Sequence, residues 1–160
     1  MIWNYWDLYG SDRIKRLILV DQGPIGLKEL AQGAQSEQRG AIFTFEEALQ
    51  IAAGLKSEQA PEVSRAVVDM LHGPELRDED VEWILRQNLL PPREDAVTLL
   101  LDYCGNDWRD VLPRITVPTL VIGGAAGLIP SDVTEDVAER IPKSVVRIFS
   151  ATVKGSHLMF

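Results

Sequence analysis

The sequence predicts an α/β chain: part of a parallel sheet, with an all-helical segment inserted between two of its strands. Three observations carry this. Arg16-Leu17-Ile18-Leu19-Val20 and Val117-Pro118-Thr119-Leu120-Val121-Ile122 are unbroken apolar runs that stop at turn residues. Continuous rather than alternating hydrophobicity suits strands buried on both faces of a parallel sheet. A strand–helix–strand pattern closes the chain, and between the two runs every periodic stretch is helical.

Taken in order, residues 1–10 hold Ile2, Trp3, Tyr5, Trp6, Leu8 and Tyr9 ahead of Gly10, which reads as a mostly buried helix end stopped by glycine. The first strand covers 16–20 and exits through Asp21-Gln22-Gly23-Pro24. In the insertion, Thr44 with Glu47 forms a capping box ahead of Ala48, Leu49, Ile51 and Ala52. Stripes then run through Val63, Ala66, Val67, Met70 and Leu71, through Val81, Trp83, Ile84 and Leu85, and through Ala96, Leu99, Leu100 and Tyr103. Asp78 is an N-cap candidate for the second of these, and Pro92 is the expected first residue of the third. After the run at 117–122, Ser131 is expected to cap a helix with the stripe Val133, Val137, Ala138 and Ile141, ended by Pro142. Ser144-Val145-Val146-Arg147-Ile148-Phe149 is the last strand. The expected division is 1–39 with 106–160 as the sheet-bearing core, and 40–105 as a helical cap.

Composition narrows the chemistry. The chain has 160 residues with 16 Lys+Arg against 24 Asp+Glu, a net charge of −8. With no compensating basic run, this argues against nucleic-acid and anionic-membrane partners, which need clustered Lys and Arg. One cysteine, Cys104, excludes an internal disulfide, and with two histidines it cannot build a structural zinc site. No metal and no cofactor are expected. No apolar stretch reaches the ~20 residues of a membrane span, and the opening Met1-Ile2-Trp3-Asn4 lacks the features of a signal peptide. A cytoplasmic location is the expectation. Three strands and one crossover helix make a poor free-standing sheet, because the first strand needs cover on both faces and a neighbour at its free edge. The chain is therefore expected to be a piece of something larger or to associate, as a homo-oligomer or with a complementing chain.

Four segments, in this order, carry a resemblance. They are Trp3-Asn4-Tyr5-Trp6-Asp7-Leu8-Tyr9-Gly10, Arg16 to Pro24, Asp107-Trp108-Arg109-Asp110-Val111-Leu112-Pro113-Arg114-Ile115 with Val117 to Gly124, and Gly155-Ser156-His157-Leu158-Met159-Phe160. Together they resemble the C-terminal portion of an α/β-hydrolase-fold protein, from the helix after the nucleophile elbow to just beyond the histidine loop. The resemblance implies a partial sheet of the α/β-hydrolase type and hydrolysis of an ester or similar bond in a small organic substrate. Such a fold uses a serine, a histidine that takes its proton and a carboxylate that orients the histidine.

On that resemblance His157 is the general base. The common family position for the acid, counted back from Pro130, falls on Ala126, and the loop from Gly123 to Pro130 holds no acid. Some members place the acid after the sixth strand, which is Asp21 here; a solvated turn aspartate is the plain alternative. Asp132 is the runner-up, with a helix N-terminal acid as its simpler explanation. No G-x-S-x-G occurs in the chain. The nucleophile and oxyanion hole are thus expected outside these residues, and the chain alone is expected to be inactive as a triad enzyme. Dehalogenases, cofactor-free haloperoxidases and C–C bond hydrolases share the fold. The competing reading is a non-catalytic binding or association module.

Other features read as structure. Gly123-Gly124-Ala125-Ala126-Gly127 lacks phosphate-loop spacing and reads as a tight turn. Cys104 reads as an inert thiol, and His72 as a helix C-terminal residue. The acidic stretch from Glu75 to Glu82 reads as a solvated helix start. Trp83 and Met70, with Leu89 and Leu90, are candidates to line an apolar substrate pocket, core packing being the alternative.

Overall fold

A computed structural model describes residues 2–31, 40–74, 76–153 and 155–158. The expected division point at 39, the last two residues of the histidine segment, Met1 and Glu75 fall outside that set. The elements are α1 (Ile2–Tyr9), β1 (Leu17–Val20), α2 (Phe45–Leu55), α3 (Ala60–Leu71), α4 (Asp78–Asn88), α5 (Arg93–Gly105), β2 (Thr119–Gly124), α6 (Ser131–Arg140) and β3 (Ser144–Phe149). The strands form one parallel sheet in the order β1-β2-β3, with Ile18 beside Leu120 and Leu120 beside Val145. Thus β2–α6–β3 is the expected strand–helix–strand unit, and the four helices α2–α5 are inserted between β1 and β2.

One face of the sheet is covered. Trp3 and Trp6 of α1 and Val137 and Ala138 of α6, with Ile141 just beyond it, pack with Leu17, Leu19 and Val121 into the main core. Trp108, Val111, Leu112 and Ile115 complete it as the chain returns from the helical insertion. Gly10 ends α1 at φ +62°, donating its N–H to the Trp6 carbonyl, a left-handed stop that glycine adopts without a Cβ clash.

The other face is open: the described residues do not supply the second-face cover that the first strand needs. Ile18 is 62% and Val145 53% exposed, and Phe149 is also exposed. Among the described residues β1 has no second neighbour. The apolar runs carry the side chains for a two-sided sheet, and the chain supplies cover for one.

In the insertion, Thr44 and Glu47 form the expected capping box, with the Glu47 N–H bonded to Thr44 Oγ1 and the Thr44 N–H to Glu47 Oε2. The buried side of α3 is Ala60, Ser64 and Val68, flanking rather than matching the expected stripe, and Met70 is exposed. Val63 of the expected stripe does meet α2 closely: a Cβ on Gly54 would stand 2.6 Å from Val63 Cγ2. Leu49 and Leu99, placed on expected stripes, are also exposed. Three caps shift by one position. Asp78 and Ser131 are the first residues of their helices rather than the caps, and Pro92 occupies the cap position instead of the first turn. Cys104 is buried, and burial raises its thiol pKa. No described helix is long and apolar enough to cross a membrane.

Candidate functional site

The carboxyl ends of the strands bring three chain segments together. The Asp21 N–H donates to the Ile122 carbonyl at 2.7 Å, extending the β1–β2 ladder one residue past the strand. Asp21 then turns into the left-handed region at φ +47°, a conformation for which aspartate is among the better-suited side chains. The Ala125 N–H donates to the Phe149 carbonyl and the Ala126 N–H to the Gly155 carbonyl, tying the loop after β2 to the histidine loop after β3. These contacts leave little room. A Cβ on Gly124 would lie 2.1 Å from the Gly155 carbonyl oxygen, and one on Gly155 2.4 Å from that of Phe149. The glycine-rich turn is an adaptation to close backbone approach.

Within this frame His157 Nδ1 lies 2.7 Å from Asp21 Oδ2. Asp21 is 1% exposed, and the imidazole is mostly buried. A carboxylate accepts hydrogen bonds, so the neutral ring in this pairing carries its proton on Nδ1 and keeps the Nε2 lone pair. Such a ring is oriented to take a proton at Nε2. Asp21 Oδ1 is buried and has no hydrogen-bond partner among the described residues.

Two supports were not singled out from the sequence. A Cβ on Gly127 would lie 3.0 and 3.1 Å from the two carboxylate oxygens of Asp21, so a bare Cα at 127 leaves the space that the acid fills. The acid-free loop that contains this glycine was the available signal. Second, the Leu158 N–H donates to the Leu71 carbonyl at the end of α3, fastening the histidine loop to the helical insertion. A main-chain bond of this kind leaves no residue-type signature.

The remaining candidates sit elsewhere. Asp132 lies in the first turn of α6, as a helix N-terminal acid does. Met70 is 50% exposed and lines a surface depression of about 200 Å³ with Ile42, Phe43 and Ile51. Trp83 is 56% exposed on α4. His72 Nδ1 lies 2.9 Å from the Gly73 carbonyl oxygen. Among the described residues, no group of three or more His, Cys, Asp or Glu side chains is arranged to hold a metal ion.

The chain has the α/β-hydrolase fold, in part. It superimposes on an esterase from Exiguobacterium antarcticum with a TM-score of 0.83 at 20% identity, covering 99% of this chain and 56% of that one. A bromoperoxidase from Bacillus anthracis matches with a TM-score of 0.79 at 16% identity, covering 98% and 56%. A thermophilic esterase from Thermogutta terrifontis matches with a TM-score of 0.75 at 22% identity, covering 98% and 53%. The chain therefore spans about half the length of the solved structures it matches. No protein-family model and no curated protein sequence matches it.

Proposed function

We propose that this chain is the histidine- and acid-bearing part of a hydrolase that cleaves an ester or similar bond in a small organic substrate. The observation that carries the reading is the 2.7 Å bond between His157 Nδ1 and the buried Asp21 carboxylate. In the proposed reaction a serine on a segment outside these residues attacks the substrate carbonyl carbon, and its proton passes to His157 Nε2. The imidazolium, stabilised by Asp21, returns that proton to the leaving alcohol as the tetrahedral intermediate collapses to the acyl-serine. Water then repeats the cycle, and the acid product leaves. Met70 and Trp83 remain proposed substrate-lining residues. The open sheet face at Ile18 and Val145, with the unpaired edge of β1, favours work as part of an assembly.

The test is to co-express the chain with the serine-bearing remainder of an α/β-hydrolase fold and assay the complex on p-nitrophenyl acetate. The expected result is turnover that falls by about 10³-fold or more with His157→Ala, and a fluorophosphonate label confined to the added segment. Turnover untouched by His157→Ala, or label on a serine of this chain, contradicts the reading.

A further inference from the structure

The helical insertion contains a second cavity, which shares Phe43 and Ile51 with the depression beside Met70. It occupies about 150 Å³ and lies between α2 (Ile51, Leu55), α3 (Ser64, Val67) and α5 (Arg93, Ala96). Phe43, Asn88 and Leu100 complete its lining. The volume suits one aromatic ring, since an apolar cavity of about this size is known to hold benzene.

Its polar atoms make it more than a packing gap. Ser64 is more than nine-tenths buried and lines the cavity, and among the described residues its hydroxyl has no hydrogen-bond partner. The Arg93 guanidinium is pinned by main-chain carbonyls. Nη2 donates to Asn88 O at 2.8 Å and to Pro91 O at 2.6 Å, and Nε donates to Pro91 O at 3.2 Å. Carbonyls orient a guanidinium without cancelling its charge, and among the described residues Arg93 has no carboxylate partner. The neighbouring Glu94 is engaged by Lys56 at 2.5 Å. Among the described residues no acidic side chain lines the cavity. In a chain of net charge −8 this is a local exception, a fixed cation at an apolar hole.

We propose that the helical insertion carries a binding site of its own for a small monocarboxylate with a compact apolar body, of the size of benzoate. The ring occupies the space between Ile51, Val67 and Ala96, and the carboxylate meets Arg93, with Ser64 as a second donor. Charge-assisted bonds of an arginine to a carboxylate set the orientation. Neither Asp21 nor His157 is among the residues that line it, and the proposal does not rest on the hydrolase reading.

The test is calorimetric titration of the full chain with sodium benzoate, with benzyl alcohol and acetate as controls. Saturable benzoate binding is expected, with both controls weaker. Arg93→Gln should weaken benzoate binding by about tenfold, and Ala96→Phe, which fills the cavity, should abolish it. Because Ala96→Phe alters packing, its melting curve is recorded alongside, and the surface variant Arg93→Gln decides if it fails to fold. His157→Ala should bind benzoate like the parent. Absence of saturable binding, equal affinity in Arg93→Gln, or loss of binding in His157→Ala overturns the proposal, the last by moving the ligand to the histidine loop.

Discussion

Asp21 and His157 are 136 positions apart in the chain and share a 2.7 Å hydrogen bond. The aspartate arrives from β1 and the histidine from the loop after β3, with β2 between them. The pair therefore depends on the register of all three strands.

The first prediction concerns the carboxylate. Asparagine tolerates the left-handed backbone that Asp21 adopts, so Asp21→Asn should keep the fold while removing the charge that faces the ring. In the assembled enzyme, turnover should drop by about 10³- to 10⁴-fold, the scale seen when the orienting acid of a triad is neutralised. Asp132→Ala should leave turnover within about twofold, as expected for a single helix-end charge. Esterase assays of the two variants side by side check this.

The second concerns Gly127. Its missing Cβ would stand 3.0 Å from Asp21 Oδ2, closer than ordinary contact. Gly127→Ala should push the carboxylate away from His157, with a stability loss of about 1–3 kcal/mol from overpacking. The His157 ring resonances should shift toward those of Asp21→Ala, a change that simple destabilisation does not produce. Urea melts and histidine NMR measure the two effects separately.

The two sheet faces should respond differently. Leu19 is buried in the main core, and Leu19→Ala should cost about 2–5 kcal/mol. Ile18, on the open face, should tolerate Ile18→Thr within about 0.5 kcal/mol in the isolated chain. The same change should weaken association with a serine-bearing segment. Urea melts and sedimentation velocity read these outcomes.

A pH effect is expected from Tyr103. Burial, with a smaller contribution from Cys104, pushes its pKa up to about 12. Between about pH 10 and 12 the unfolded chain has lost the phenolic proton and the folded chain holds it, so stability falls as pH rises through that window. The loss should be about 2–3 kcal/mol and should be absent in Tyr103→Phe. Paired denaturation curves at pH 9 and about pH 12 give the difference.

The order of elements was legible because each carries local chemistry: Gly10 stops a helix, the Thr44–Glu47 box starts one, and Pro142 follows one. What was not legible depends on neighbours. Ile18 in an apolar run reads the same whether or not the chain supplies its cover. The face of α3 was misplaced because its buried residues include Ala60 and Ser64, which hydrophobicity ranks below Val63 and Met70. Asp21 was paired with His157 through the family resemblance alone, since no local pattern links residues so distant. Gly127 was read only as part of a tight turn, because its further constraint comes from the carboxylate it faces.

The most direct measurement is the tautomer of His157, read from ¹⁵N–¹H correlations of the imidazole at neutral to mildly basic pH in the chain and in Asp21→Ala. The expected result is a proton on Nδ1 in the parent, with the distribution moving toward Nε2 once the carboxylate is removed. A proton on Nε2 in the parent, or a spectrum indifferent to Asp21→Ala, would contradict the proton-handling pair.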